Sequence, residues 1–291
     1  MSISSWFNLK TAMTDMHCSV RFMTLGVHAC SIHPFTACSL PSQSGKQSEL
    51  VFYIRPRGGL TSKLAQQAKL EPGSKVRALL DGPYGGVNME KIQLFQHQVV
   101  IAGGSGAGWI LPMLSACLRR NRQAHIDDAI AGPSTMKIVL ATRDRATRLW
   151  FQQAVDELLS EGGLERLPSG IDIDLHFTGQ EVSKAVDQLE YTASDPEKAL
   201  EKTQVSSQHD TESDNMSAKR GDIKRADGRP NLATLVNSEI VSGSTESLGV
   251  FVCGPLSMQS VVSNAVAAAQ LQILKEASKD VYLHMEHFSW A

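Results

Sequence analysis

Gln98-Val99-Val100-Ile101-Ala102-Gly103-Gly104-Ser105-Gly106-Ala107-Gly108 is the stretch that decides the fold. Gln98 to Ala102 is a short, largely apolar run of the kind that makes a buried strand. Four glycines follow within six residues, and Trp109 to Arg120 then reads as a helix. A pyrophosphate carries two negative charges that must be met in a small space. Backbone N–H groups at a helix N-terminus meet them, provided no side chain blocks the approach. Gly103, Gly104, Ser105, Gly106 and Gly108 supply that access, so the strand–turn–helix predicts a dinucleotide site. A tight structural turn is the plainer alternative.

Outward from this point the grammar repeats. Met136 to Thr142 predicts a second strand and Thr147 to Leu159 an amphipathic helix, with Leu149, Val155, Leu158 and Leu159 as its core candidates. Ile171 to Phe177 alternates as a third strand. Leu248 to Cys253 is a fourth, Gly254-Pro255 opens a helix from Leu256, and Val281 to Phe288 is a final strand. Strands alternating with helices predict a Rossmann-like domain over residues 97–291 with an open parallel sheet. The second strand ends without the acidic residue that usually holds a ribose 2′-hydroxyl. Arg143 stands there instead, and a guanidinium suits the 2′-phosphate of NADPH. One segment breaks the pattern: residues 191–230 hold eight acidic and seven basic residues and five large apolar ones. Such a stretch buries too little to offset its ordering entropy, which predicts a disordered insertion over 191–227.

Ahead of the glycine turn the signals are those of a small β domain, residues 1–92. His33 to Leu40, Leu50 to Ile54 and Val76 to Leu80 are brief apolar runs separated by Gly, Pro and Ser. Thr61 to Leu70 predicts one short helix. Residues 1–30 show no clear period. A net charge of −2 offers no general attraction to nucleic acid or anionic lipid. The five cysteines, Cys18, Cys30, Cys38, Cys117 and Cys253, form no metal-like spacing, and no metal site is expected. No apolar run reaches the length of a membrane span, and no signal peptide is visible, so the chain as written reads as soluble.

The motifs in order resemble the FAD- and NADPH-binding half of fungal ferric-chelate reductases and NADPH oxidases. They are His33-Pro34-Phe35-Thr36, Ile54-Arg55-Pro56-Arg57-Gly58-Gly59-Leu60-Thr61, Asp81-Gly82-Pro83-Tyr84-Gly85, Gly103 to Gly108 with Leu111-Pro112, and Arg143-Asp144 with Trp150-Phe151. Gly228-Arg229-Pro230-Asn231, Cys253-Gly254-Pro255 and Glu286-His287-Phe288-Ser289-Trp290 complete the set. The resemblance implies an FAD-binding Greek-key barrel of the ferredoxin-reductase type, here N-terminally truncated because the family's first barrel strands are not recognisable before His33. It implies that His33, Pro34, Phe35 and Thr36 line the flavin, with the Thr36 hydroxyl at its N5 edge. Ile54, Arg55, Gly58, Gly59 and Thr61 would hold the flavin phosphates. Arg229 would touch the dinucleotide, Cys253 with Gly254 and Pro255 would stand beside the nicotinamide, and Phe288 would shield the flavin face.

The implied reaction is hydride transfer from NADPH to FAD. Single electrons then pass towards haems of a membrane domain absent from this chain, and on to extracellular ferric chelates. The implied location is the cytoplasmic face of the plasma membrane. A soluble NADPH-dependent flavin reductase or diaphorase, and an inactive nucleotide-binding fragment, are the competing expectations.

Overall fold

The computed structural model describes residues 2–7, 13–14, 17–23, 31–40, 48–127, 134–179, 222–242, 247–276 and 280–286. The first half is antiparallel. Strand β1 (Ser2–Phe7) pairs with β5 (Ser48–Tyr53), and β2 (Met13–Thr14) with β7 (Val87–Asn88). Strand β3 (His17–Phe22) lies between β4 (His33–Thr36) and β6 (Ala78–Tyr84). Along β3, Cys18, Val20 and Phe22 point inward in strict alternation, the period of a half-buried strand. They pack with Leu50, Phe52, Ile54, Leu60 and Leu64, the last two from α1 (Gly59–Leu70). A short helix α2 (Met89–Leu94) leads out of this half.

Three of these strands come from the stretch that sequence patterning left blank. They are β1, β2 and β3, all ahead of His33. The described strands fall into three small antiparallel sheets.

The second half is one parallel sheet. Its strands are β8 (His97–Gly103), β9 (Thr135–Thr142), β10 (Ile171–Phe177), β11 (Ile223–Asp227), β12 (Ser247–Cys253) and β13 (Asp280–Glu286). They lie in the order β11-β10-β9-β8-β12-β13, all parallel. Helices α3 (Ala107–Asp127) and α4 (Arg145–Glu161) cover one face, where Trp109, Met113, Phe151 and Val155 meet Val100, Ile138, Leu175 and Phe251. Helices α5 (Leu232–Ser242) and α6 (Leu256–Glu276) cover the other, where Val236 and Val262 meet Val99, Ile101 and Val250. Burial on both faces explains why β8 and β12 read as nearly unbroken apolar runs.

Two expectations change here. Residues 222–227 are not insertion: β11 pairs with β10 from Ile173↔Ile223 to Phe177↔Asp227. The rest of the expected insertion, 191–221, lies outside the described residues. Leu149 is no core residue but 59% exposed. The buried stripe of α4 is Phe151, Ala154, Val155 and Leu159, and Leu149 sits about 200° round the helix from Phe151 at ~100° per residue.

Candidate dinucleotide and flavin site

In the parallel sheet every strand ends on the same edge. The order in which strands are added reverses between β8 and β12, which is the switch point where open α/β sheets bind ligands. Gly103 closes β8, a single 3₁₀ turn takes Gly104 to Gly106, and α3 starts at Ala107. Gly104 has φ +55, and nothing lies within 4 Å of where its Cβ would stand. That open space beside bare backbone is the cradle an anion needs. Below it the packing is tight. A Cβ on Gly106 would lie 3.0 Å from the Cys253 carbonyl oxygen and 3.1 Å from its Sγ, and one on Gly103 would lie 2.9 Å from Pro255 Cδ. So Gly103 and Gly106 do meet Cys253, Gly254 and Pro255. The Cys253 side chain is wholly buried, packed under the turn within the sheet core.

Along the same edge, Arg143 follows β9 and is exposed, and Arg229 follows β11 after Gly228, also exposed. Two strand spacings separate them, about 10 Å. Between them Phe177 ends β10, with the Arg145 and Arg148 guanidinium carbons 5.1 Å and 5.6 Å from its ring centroid. The edge is thus basic over β9 to β11, although the whole chain is slightly acidic. No signal in a single strand announces this; it needs the strand order.

On the antiparallel half, β4 carries His33, Pro34, Phe35 and Thr36. The Phe35 ring leans on Phe22 and Phe52 at 6.4 and 6.5 Å, while Pro34 is exposed. After Ile54, the chain passes Arg55 and enters α1 at Gly59. The Thr61 Oγ1 accepts the Arg57 N–H at 3.0 Å and donates to the Gly58 carbonyl at 3.0 Å. Thr61 therefore shapes this loop itself. No atom lies within 4 Å of a Cβ position on Gly58, so the α1 N-terminus is open to a phosphate group. Arg55 is engaged elsewhere: its Nη2 stands 2.9 Å from Asp144 Oδ2 on the other half.

The halves touch at three further places. The Tyr53 and Trp150 rings lie 4.6 Å apart, and Cys38 Sγ comes within 2.7 Å of a Cβ position on Gly108. At the far end, Gly85 (φ +65) brings His17 Nδ1 and Glu286 Oε1 within 3.5 and 3.7 Å of one point. His17 is the register partner of Thr36, and Glu286 that of Cys253. The strand pairs that hold Thr36 and Cys253 thus come together at Gly85. Phe288 lies outside the described residues. Sequence motifs included Asp144, Trp150 and Glu286 without giving them a task, and His17 went unnoticed. Among the described residues no His, Cys, Asp and Glu group could hold a metal, and no helix is long and apolar enough to cross a membrane.

Both halves match known families. Residues 95–267 match the ferric reductase NAD binding domain, and residues 8–88 match an FAD-binding domain. The chain is 23% identical over 266 residues to a probable ferric reductase transmembrane component of Candida albicans, covering 89% of this chain and 35% of that protein. It is 23% identical to ferric/cupric reductase transmembrane component 1 of Candida albicans, with 89% and 31% covered. The chain thus spans about a third of the length of these curated relatives. Among solved structures, a ferredoxin-NADP+ reductase from Plasmodium falciparum matches with a TM-score of 0.49 and 12% identity, over 98% of this chain and 88% of that one.

Proposed function

Since this chain belongs to the ferric reductase NAD-binding family and carries an FAD-binding domain ahead of that unit, we propose that it is the cofactor-bearing half of an NADPH-dependent ferric-chelate reductase. The observation that carries this reading is the link from Thr36 through His17, Gly85 and Glu286 to Cys253. It supports two cofactor sites that face each other, the arrangement that hydride transfer requires. Bound FAD would supply the chemistry that takes a hydride from NADPH and releases electrons singly, towards a haem held outside this chain and then a ferric chelate.

The chain's own residues orient and bind. The Gly103–Gly106 turn and the α3 N-terminus offer N–H groups to the pyrophosphate of NADPH. Arg143, where a ribose-binding carboxylate would otherwise stand, selects the 2′-phosphate, and Arg229 adds charge from the neighbouring loop. Cys253 acts from below: as a small, soft side chain it fixes the height of Gly106 and so of the nicotinamide site. On the other half, Gly58, Gly59 and Arg55 face the flavin phosphates, and Thr36 presents a hydroxyl to the ring edge. Phe288 is assigned the flavin face by resemblance.

Anaerobic stopped-flow absorbance of the chain reconstituted with FAD and mixed with NADPH tests the reading. Bleaching of the flavin band within seconds is expected. Flavin that binds yet stays oxidised would refute it. If ferric chelates are then reduced at full rate without membranes, the chain is instead a soluble flavin reductase.

A further inference from the structure

The ion pair between Arg55 and Asp144 joins two residues with other work to do. Asp144 is the N-cap of α4: its Oδ1 accepts the Ala146 N–H at 3.1 Å, and its Oδ2 accepts the Thr147 hydroxyl at 2.8 Å. The carboxylate is held in place by its own helix, with or without Arg55. The guanidinium, 54% exposed, is free to swing. On the reading above, Arg55 also faces the flavin pyrophosphate, and this inference rests on that reading.

We propose that Asp144 competes with the flavin pyrophosphate for Arg55. The ion pair is a clasp that FAD opens, and Asp144 is a positioning residue that sets FAD affinity from the opposite domain. Magnitudes favour this direction. A half-exposed ion pair is weak, whereas paired, charge-assisted bonds to a phosphate are roughly twice as strong as neutral ones. The contact of Tyr53 with Trp150 needs no charge and sits on the same two elements, β5 and α4. It keeps the domains apposed when the clasp opens. Arg143, adjacent to Asp144, points the other end of the same turn at the dinucleotide, so one turn serves both cofactors.

The test is FAD titration of the full chain, followed by quenching of flavin fluorescence. Asp144→Asn removes the charge and keeps a good N-cap. It should tighten FAD binding about 3- to 5-fold, the reach of an ion pair of this kind. Arg55→Gln should weaken binding about tenfold or more, and adding Asp144→Asn to it should change nothing further. A double-mutant cycle on urea stability should show coupling between the two positions without FAD and none at saturating FAD. Unchanged or weaker FAD binding by Asp144→Asn, beside a clear loss in Arg55→Gln, would overturn the competition while leaving Arg55 as a phosphate ligand. So would coupling that persists at saturating FAD. Arg55→Gln without effect would instead remove Arg55 from the flavin site and the competition with it. A wild-type chain that binds no FAD would overturn the functional reading itself.

Discussion

The two halves of this molecule are held together in opposite ways. The parallel half is a six-stranded sheet with helices on both faces and wholly buried residues in every central strand. The antiparallel half is three small sheets, with Val87 of the β2–β7 sheet packing into the parallel half's core, and its longest pairing, β1 with β5, ties residues 2–7 to 48–53. The first ends in an edge whose switch point carries the proposed dinucleotide site. The second leans on the first, through Tyr53 on Trp150, Cys38 against Gly108 and the pair of Arg55 with Asp144. If these contacts shape the flavin domain, cofactor affinity on one side is open to tuning from the other.

The largest effects should come from the cores. Phe251→Ala in the parallel half and Phe52→Ala in the antiparallel half each remove a wholly buried ring, at about 3–5 kcal/mol by urea denaturation. If the antiparallel half leans on the sheet, Phe251→Ala lowers the stability of both halves together. Phe52→Ala should produce an early, separate transition that leaves the sheet's tryptophan signal intact. Equal single transitions in both variants would break the comparison.

Next in size is Gly106→Ala. Its Cβ meets the Cys253 backbone carbonyl, which cannot swing away, so a loss of about 1–3 kcal/mol is expected. NADPH binding should fall while FAD affinity is unmoved, measured by separate titrations. Arg143→Gln should raise the KM for NADPH about tenfold, the scale of one charge-assisted bond, and leave that for NADH unchanged.

The smallest effect concerns two thiols, one in each half. Burial pushes Cys117 above the ordinary value of 9.0 against an opposing hydrogen bond from Ser134. Burial and then Asp81 push Cys18 the same way. Raised values favour the protonated thiol in the fold, so the stability they contribute is complete below pH 9.0 and falls as pH rises further. Labelling with a disulfide reagent at pH 8 should be slow at both and faster at Cys18, because the smaller half opens more readily. Equal rates would place both thiols in one cooperative unit.

Much of the parallel half was legible because its signals are local. An apolar run, a glycine turn and an amphipathic helix each stand within a dozen residues, and β8, β9, β10 and β12 follow from them. The misses share a cause. β11 reads Ile-Lys-Arg-Ala-Asp, and only Ile223 is even partly buried. Its place comes from backbone hydrogen bonds to β10, which composition does not record. β3 alternates cleanly, yet six residues of alternation beside unpatterned neighbours gain meaning only when β4 and β6 pair with them.

The sequence by itself determined the order of the motifs, the parallel α/β domain and the glycine cradle, because each depends on residues that are neighbours in the chain. The tertiary structure alone decided that Arg55 meets Asp144, that Cys253 lies buried beneath Gly106, and that His17, paired with Thr36, and Glu286, paired with Cys253, both come close to Gly85. Those relations depend on strand order and on how two domains abut, and contacts between residues distant in the chain exist only once the chain has closed upon itself.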